Sequence, residues 1–304
     1  MSDLQALFDM NIEAYLQGPA LLAALVGFGL LVGILTGLFG VGGAFLLTPL
    51  LNVGFGIPYP LAIGSGLSFT IGTSSSGMRR HIRLANFESR SMLILAGASM
   101  AGAVLGGMLN KALDVSLGRY NYTLMMHLLF VVTLALTAWV VARNKPEHPS
   151  GKSPLQRLRL PPHIDLPTVG LKAVSVPGLC AVGVFIGIMK GMMGIGGGVL
   201  FMPLLILVVG LTPHQAVGTS LGVVVFSSIA GTIKYGLDGN VNLCLVMSLL
   251  VSSVLGVQLG AWICHRLHAG RLRRYFAVLV LLVAVAVAAR MVYQLHHGPA
   301  PSGQ

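Results

Sequence analysis

The sequence predicts an all-α polytopic membrane protein built from two related halves. Hydrophobic residues make up 55% of the 304-residue chain and charged residues only 9%, whereas soluble domains carry about 25% charged residues. The mean hydropathy is +0.85. Long apolar runs recur along the chain, and one glycine-rich pattern occurs twice. A chain of this composition cannot form a water-facing surface, so the lipid bilayer must be its solvent.

The apolar runs define the expected helices. A helix that spans the hydrocarbon core needs about 20 apolar residues. Runs near that length occur at 18–39, 91–109, 120–142, 174–193, 243–264 and 275–295, and shorter glycine-rich stretches lie at 43–56, 58–77, 197–210 and 212–231. We therefore expect about five segments in each half, with broken or re-entrant short helices after the glycine-rich loops.

The two halves align without a gap when the sequence is shifted by 154 residues. Ten of the nineteen positions in 33–51 are identical to those in 187–205. A basic, proline-rich segment separates the halves. The predicted organisation is an N-terminal extension (1–17), a first membrane repeat (18–142), a cytoplasmic linker (143–172), a second membrane repeat (173–297) and a tail (298–304).

Loop charges predict that the two repeats have inverted topology. Loop 78–90 carries four arginines, but its counterpart 232–242 carries one lysine; loop 110–119 is mixed, but its counterpart 265–274 carries four arginines and no acid. Basic residues collect in cytoplasmic loops. Equivalent loops should therefore face opposite sides, with the N-terminus outside and the linker inside. Because the basic residues are confined to short loops, we expect no nucleic-acid partner. The expected partners are the lipid bilayer and the transported anion.

Two glycine clusters are the strongest candidate site. Several consecutive glycines break a helix, and a break at membrane depth is tolerated only against protein or a polar cavity. The helix that follows points its positive end at the break, which favours an anion. We predict that the substrate binds at Gly40, Gly42, Gly43, Gly194, Gly196, Gly197 and Gly198. The alternative is tight helix packing, the role that we assign to Gly29, Gly33, Gly37, Gly183, Gly187 and Gly191.

Lys190 lies one helical turn before Gly194, within an apolar run that contains no Asp or Glu. A charge at membrane depth costs at least about 2.5–3.5 kcal/mol, which a bound anion would offset. The alternative is that the side chain snorkels to the interface. Its counterpart in the first repeat is Thr36.

Hydroxyl groups extend the predicted site. Hydroxyls can donate hydrogen bonds to an oxyanion without carrying a fixed charge, although they also join helices to one another. The candidates whose positions match across the repeats are Ser65, Ser74, Thr219 and Ser228.

The motifs Gly37-x-x-Gly40-Val41-Gly42-Gly43-x-x-x-x-x-Pro49 and Gly191-x-x-Gly194-Ile195-Gly196-Gly197-Gly198-x-x-x-x-Pro203 are each followed by Ala-x-Gly-Ser/Thr. This pattern resembles the sulfite exporter TauE/SafE family, also called the toluene sulfonate uptake permease family. The resemblance implies a multi-pass protein of the bacterial inner membrane that exports sulfite or an organosulfonate such as sulfoacetate. Substrates vary within the family, so an anion channel, a uniporter or an importer of another small anion remains an alternative.

Enzymatic activity is not expected. All eight acidic residues lie in loops or near chain ends, where they are poorly placed for acid–base chemistry inside the membrane. The histidines show no metal-ligand spacing. We therefore expect no catalytic residue, metal or cofactor, and leave open whether the chain forms a homodimer.

Overall fold

The structure is a computed structural model, and it describes residues 19–84, 88–143, 154–157, 160–166, 171–196 and 198–297. Its elements in chain order are α1 (Pro19–Phe39), α2 (Ala44–Phe55), α3 (Tyr59–Arg83), α4 (Ser89–Arg143), α5 (Pro154–Arg157), β1 (His163–Leu166), β2 (Leu171–Ser175), α6 (Val176–Met193), α7 (Gly198–Leu204), α8 (Pro213–Leu237), α9 (Leu243–Arg266) and α10 (Ala269–His297). A π-helical turn, Leu205–Val209, extends α7.

The all-α polytopic membrane architecture is confirmed. Among the described residues, five helices are long and apolar enough to cross a membrane, judged by length and composition. The predicted N-terminal extension, the predicted tail and Gly197 lie outside the described residues.

The 55-residue helix α4 contains two spans. At 1.5 Å per residue it would be about 80 Å long, far more than the roughly 30 Å of hydrocarbon that one span must cross. Gly118 interrupts it with φ 72° and ψ 157°. The Asn110 side-chain amide donates a hydrogen bond to the Tyr122 hydroxyl at 2.7 Å, so the chain folds back at this glycine. We call residues 89–117 the first arm and residues 119–143 the second arm.

The internal repeat extends to the helix boundaries. Helices α3 and α8 each contain 25 residues and begin 154 residues apart, and the same offset relates the starts of α2 and α7 and of α4 and α9. The expectation of a short helix over 58–77 and another over 212–231 is wrong, because α3 and α8, which cover these stretches, contain 25 residues each. Helix α3 continues through Arg79, Arg80 and Arg83. Basic side chains complement the negative end of a helix, so a cluster of arginines does not have to mark a loop.

Glycine seams hold the two repeats together. A Cβ atom at Gly33 would overlap the Ser253 carbonyl on α9, and one at Gly187 would overlap the Ser99 carbonyl on the first arm of α4. The same close approach to the facing helix occurs at Gly29, Gly37, Gly183 and Gly191, and on the facing helices at Gly102, Gly106, Gly256 and Gly260. Lipid supplies no hydrophobic force between helices, so close backbone contact provides much of their attraction. The packing role predicted for the three glycines of α1 and the three glycines of α6 is confirmed.

Helices α3 and α8, which occupy equivalent places in the two repeats, contact each other directly. Gly64 on α3 lies beside Tyr235 on α8, and Gly77 lies beside Leu221. Because residue numbers fall along α8 as they rise along α3, these equivalent helices run antiparallel.

The described part of the linker is folded and docked. Strands β1 and β2 pair antiparallel. The Arg90 guanidinium donates a hydrogen bond to the Asp165 carbonyl at 3.1 Å, which joins the hairpin to the start of α4. Three apolar linker-region side chains enter a core cluster formed with α4, α6 and α7: Leu155, Leu166 and Val174. The hairpin therefore sits at the helix ends near residue 90.

Candidate functional site

The two glycine-rich loops meet in the interior. Gly40, Gly42 and Gly43 have φ values of 70°, 76° and 82°, and Gly194 and Gly196 have values of 66° and 73°, a region that other residues rarely adopt. The structure thus brings both predicted clusters together, apart from Gly197. We call residues 40–43 and 194–198, without Gly197, the glycine crossing.

Contact at the glycine crossing is made through bare backbone. A Cβ atom at Gly196 would lie 2.8 Å from the Val41 carbonyl oxygen, and a Cβ atom at Gly198 would overlap the Val41 Cα. Glycine is required here for close approach as well as for backbone conformation.

Hydroxyl groups bind the carbonyl oxygens of the glycine crossing. Ser220 donates to the Gly40 carbonyl at 2.9 Å, and Thr73 donates to the Gly42 carbonyl at 3.1 Å. Thr48 donates to the Gly194 carbonyl at 3.1 Å. These bonds satisfy acceptors that the helix breaks would otherwise leave bare in hydrocarbon.

The backbone N–H groups of the crossing are less satisfied than its carbonyls. Among the described residues, no backbone acceptor is bonded to the N–H groups of Gly42, Gly43 or Gly196. Gly43 is also the N-cap of α2 and, because it has no side chain, it cannot cap the first turn of this helix. The first turn of a helix presents unpaired N–H groups and a partial positive charge, so this part of the crossing is suited to an anion.

Lys190 is completely buried, with an exposed fraction of 0%. Its Nζ atom donates hydrogen bonds to the Val224 carbonyl at 2.8 Å and to the hydroxyls of Ser227 and Ser228 at 2.7 Å each. All three acceptors belong to α8 and are neutral, and within the described chain no carboxylate forms an ion pair with this ammonium. The snorkelling alternative is wrong, because the side chain is directed into the protein.

The equivalent positions in the first repeat border the loop of α1 and α2. Ser74 corresponds to Ser228; its hydroxyl is buried and has no partner among the described residues. It lies 3.1 Å from the position that a Gly42 Cβ would occupy. Thr36 corresponds to Lys190, and its hydroxyl donates within α1 to the Val32 carbonyl at 2.8 Å. The site is therefore asymmetric, with an ammonium in one repeat and an unpaired hydroxyl in the other.

Ser65 and Thr219 make equivalent hydrogen bonds outside the glycine crossing. The Ser65 hydroxyl accepts from the Asn242 N–H at 2.9 Å, and the Thr219 hydroxyl accepts from the Glu88 N–H at 3.1 Å. Each bond joins a helix of one repeat to the segment that begins α9 or α4 in the other. The geometry gives these two hydroxyls a role in joining the repeats and does not direct them to the crossing.

The sequence prediction missed several hydroxyls that contact the crossing or Lys190. Thr73, Ser220 and Ser227 each neighbour a residue that was selected, and Thr73 and Ser227 are themselves repeat counterparts. Thr48 was detectable only as a polar residue within the apolar helix α2. Among the described residues, no group of three His, Cys, Asp or Glu side chains could hold a metal ion.

A cavity of about 430 Å³, here called the vestibule, lies where the two repeats meet at one end of the molecule. It is lined by Pro58, Tyr59, Pro60, Leu61, Asp114, Arg119, Tyr122, Thr123, Gly239 and Asn240. Asn110 connects this cavity to the glycine crossing, because its amide donates both to Tyr122 and, at 2.6 Å, to the Met192 carbonyl. Met192 is in the last turn of α6, directly before the second glycine loop.

Comparison with known proteins agrees with this architecture. The family model described as sulfite exporter TauE/SafE matches residues 25–287. A probable membrane transporter protein of Xylella fastidiosa is 29% identical over 265 residues, which cover 86% of this chain and 93% of that protein. The probable membrane transporter protein YunE of Bacillus subtilis is 24% identical over 277 residues, covering 89% and 97%. No solved structure matches the chain. Since the family model covers most of the sequence, the chain belongs to the sulfite exporter TauE/SafE family.

Proposed function

We propose that this protein exports a small sulfur-containing anion, sulfite or an organosulfonate such as sulfoacetate, across a bacterial inner membrane. Membership of the TauE/SafE family supports the transport class and the kind of substrate. The observation that carries the proposal is Lys190, a buried ammonium one helical turn before the second helix break, with no carboxylate partner among the described residues. A negatively charged ligand supplies the missing counter-charge.

We further propose that the repeats are inverted in the membrane. The antiparallel contact of α3 and α8 supports this relation. The loops assigned to the outer side are joined by an ion pair of 2.6 Å between Lys111 and Asp238. On the other side, the His214 ring lies 3.0 Å from the Leu267 carbonyl, close to a loop assigned to the cytoplasm. The ion pair holds the two outer loops together, as the inverted arrangement requires.

The proposed site is the glycine crossing. The anion accepts hydrogen bonds from the N–H groups of Gly42 and Gly43 and from the Ser74 hydroxyl, at the positive end of α2. Lys190 approaches it after exchanging its bonds to Ser227 and Ser228 for bonds to the anion. The bonds to Ser227 and Ser228 join the ammonium to neutral hydroxyls, whereas the new bonds join it to an opposite charge. This added attraction favours the exchange once the anion has shed its water.

Lys190 is closed off by α8 in the described conformation. We therefore infer that α8 moves relative to α6 when the site opens. Inverted-repeat transporters alternate access by rocking one repeat against the other around a site near the bilayer midplane. The vestibule is the proposed outer route, with Arg119 on its wall and Asn110 between it and the crossing.

An exchange assay in proteoliposomes tests the proposed function. Purified protein is reconstituted, loaded with unlabelled anion and supplied outside with radiolabelled sulfite. A carrier for sulfite accumulates label by exchange, and internal sulfite or sulfoacetate stimulates uptake more than chloride does. Uptake that ignores the internal anion indicates a channel rather than a carrier. Uptake equal to that of protein-free liposomes contradicts sulfite as the substrate.

A further inference from the structure

A second concave surface lies between the second arm of α4 and helix α10, apart from the glycine crossing and the vestibule. This groove has a volume of about 620 Å³ and is lined by Ala135, Ala138, Trp139, Val141, Gly270, Arg274, Ala277, Val278 and Leu281. We call it the α4–α10 groove.

The α4–α10 groove has a closed apolar floor and an open apolar rim. Ala138 and Val141 on the floor have exposed fractions of 6% and 5%. Trp139, Val278 and Leu281 on the rim have exposed fractions of 52% or more. Two helices that are long and apolar enough to span a membrane thus form a mainly apolar groove, and its open side faces the surrounding medium. In a bilayer that medium is the acyl chains of the lipids.

The length of the groove matches one leaflet. Gly270 and Leu281 line its two ends on α10. Eleven residues of helix rise about 16 Å, and half of the hydrocarbon core is about 15 Å thick. An acyl chain lying in the groove would run from the membrane interface almost to the midplane.

A single cation lies one helical turn from the interfacial end of the groove. Arg274 is exposed and is the only charged residue in the lining. Within the described residues its guanidinium forms no ion pair. Trp139 lies in the same lining, and the Arg143 guanidinium covers its ring at 5.0 Å from the ring centroid. Tryptophan with flanking arginine is typical of the membrane–water interface.

We propose that the α4–α10 groove binds one anionic phospholipid, with an acyl chain on the alanine floor and the phosphate at Arg274. Guanidinium matches phosphate geometry with two parallel hydrogen bonds. The loop next to Arg274 is the arginine-rich loop assigned to the cytoplasmic side, where anionic lipids attract basic residues. A second copy of the chain is a poorer occupant. A twofold interface would place the same surface opposite itself, and that surface contains no carboxylate for Arg274.

Native mass spectrometry tests this lipid site. Purified protein in detergent is titrated with phosphatidylglycerol or with phosphatidylcholine that carries the same acyl chains. One basic residue near a membrane surface contributes about 1 kcal/mol to binding an anionic lipid, so we expect about a fivefold preference for phosphatidylglycerol in a single retained adduct. Arg274→Gln should remove that preference. Arg271→Gln, which changes the same charge one helical turn away but outside the lining, should keep it.

A groove-filling variant provides the second criterion. Ala138→Phe places a ring on the floor without changing the charge, and it should reduce retention of both lipids. The proposal is wrong if the two lipids are retained equally by the unaltered protein, or if Arg274→Gln keeps the preference. It is also wrong if the protein is a dimer that Ala138→Phe dissociates, because the groove would then be occupied by a second copy.

Discussion

Replacing Lys190 with methionine separates a structural role of the ammonium from a role in anion binding. Methionine has a similar length and no charge. Ser227 would keep its hydrogen bond to the Val223 carbonyl at 2.8 Å. Ser228 would lose the only side-chain hydrogen bond that the structure describes for it. The variant therefore loses folding free energy equivalent to about one buried hydroxyl without a hydrogen-bond partner.

The two energetic terms of Lys190→Met have opposite signs and partly cancel. One buried hydroxyl without a partner costs about 1–3 kcal/mol, and removing a charge from membrane depth recovers about 2.5–3.5 kcal/mol. The variant should therefore lie between about 2.5 kcal/mol more stable and about 0.5 kcal/mol less stable than the unaltered protein. Truncating one partner of a buried charged interaction costs about 2–5 kcal/mol of binding, so affinity for the anion should fall at least about thirtyfold.

The assay pairs thermal melting in detergent with sulfite uptake by proteoliposomes. Lys190→Met should melt within a few degrees of the unaltered protein and transport almost no sulfite. Lys190→Arg should keep part of both binding and transport, because charge survives but shape does not. Lys111→Met is the matched control, since this lysine is 62% exposed at the outer end, and it should transport normally. Normal transport by Lys190→Met, or failure of that variant to fold, would refute the reasoning.

Three further predictions concern the crossing, the outer end and the orientation. Gly198→Ala should lower the melting temperature and abolish transport, because its Cβ would overlap the backbone of Val41. Gly97→Ala is the control and should not destabilise the protein, because no atom lies within 4 Å of the added Cβ. Burial raises the pKa of Asp238, but hydrogen bonds from Lys111 and Lys234 outweigh it and hold that pKa below its ordinary value. The resulting stability is present above the unfolded pKa and is lost as pH falls through the folded pKa, so Asp238→Asn should lower the melting temperature at pH 7 and have little effect once the pH is below the folded pKa of this carboxylate. Single cysteines in a variant without the three native cysteines should react with an impermeant thiol reagent from the periplasm when placed at the vestibule; reaction of the linker from that side would contradict the orientation.

The repeat and its glycine loops could be predicted because backbone geometry restricts residue choice. A positive φ and a close backbone approach both demand glycine, so Gly40, Gly42, Gly194 and Gly196 recur at a fixed offset. The same logic misleads for hydroxyls. Matching across repeats selects residues that both halves need for assembly, such as the Ser65 bond to Asn242 and its counterpart.

Sequence matching selected Ser228, one of the three partners of Lys190. The other two, Val224 and Ser227, could not be predicted, because they lie 34 and 37 residues away and one is a main-chain carbonyl. A search for a nearby carboxylate cannot find neutral acceptors on another helix. The docking of the linker was missed for a similar reason. Its buried side chains, such as Leu155 and Leu166, are scattered among prolines and charges and show no helical or strand period.

Voltage-driven sulfite efflux from proteoliposomes tests the central claim most directly. Proton-coupled carriers usually place Asp, Glu or His chains within the membrane. Among the described residues, the side chains bonded to the glycine crossing carbonyls and to Lys190 are hydroxyls, and none is an Asp, Glu or His. Each negative charge that leaves a cell with a negative interior releases roughly 2.3 kcal/mol per 100 mV. With a potassium-diffusion potential, negative inside, and no pH gradient, we predict saturable efflux of sulfite that grows with voltage and disappears in Lys190→Met. Efflux that follows only an imposed pH gradient at zero voltage, or that persists unchanged in the variant, would contradict an electrogenic anion exporter centred on this lysine.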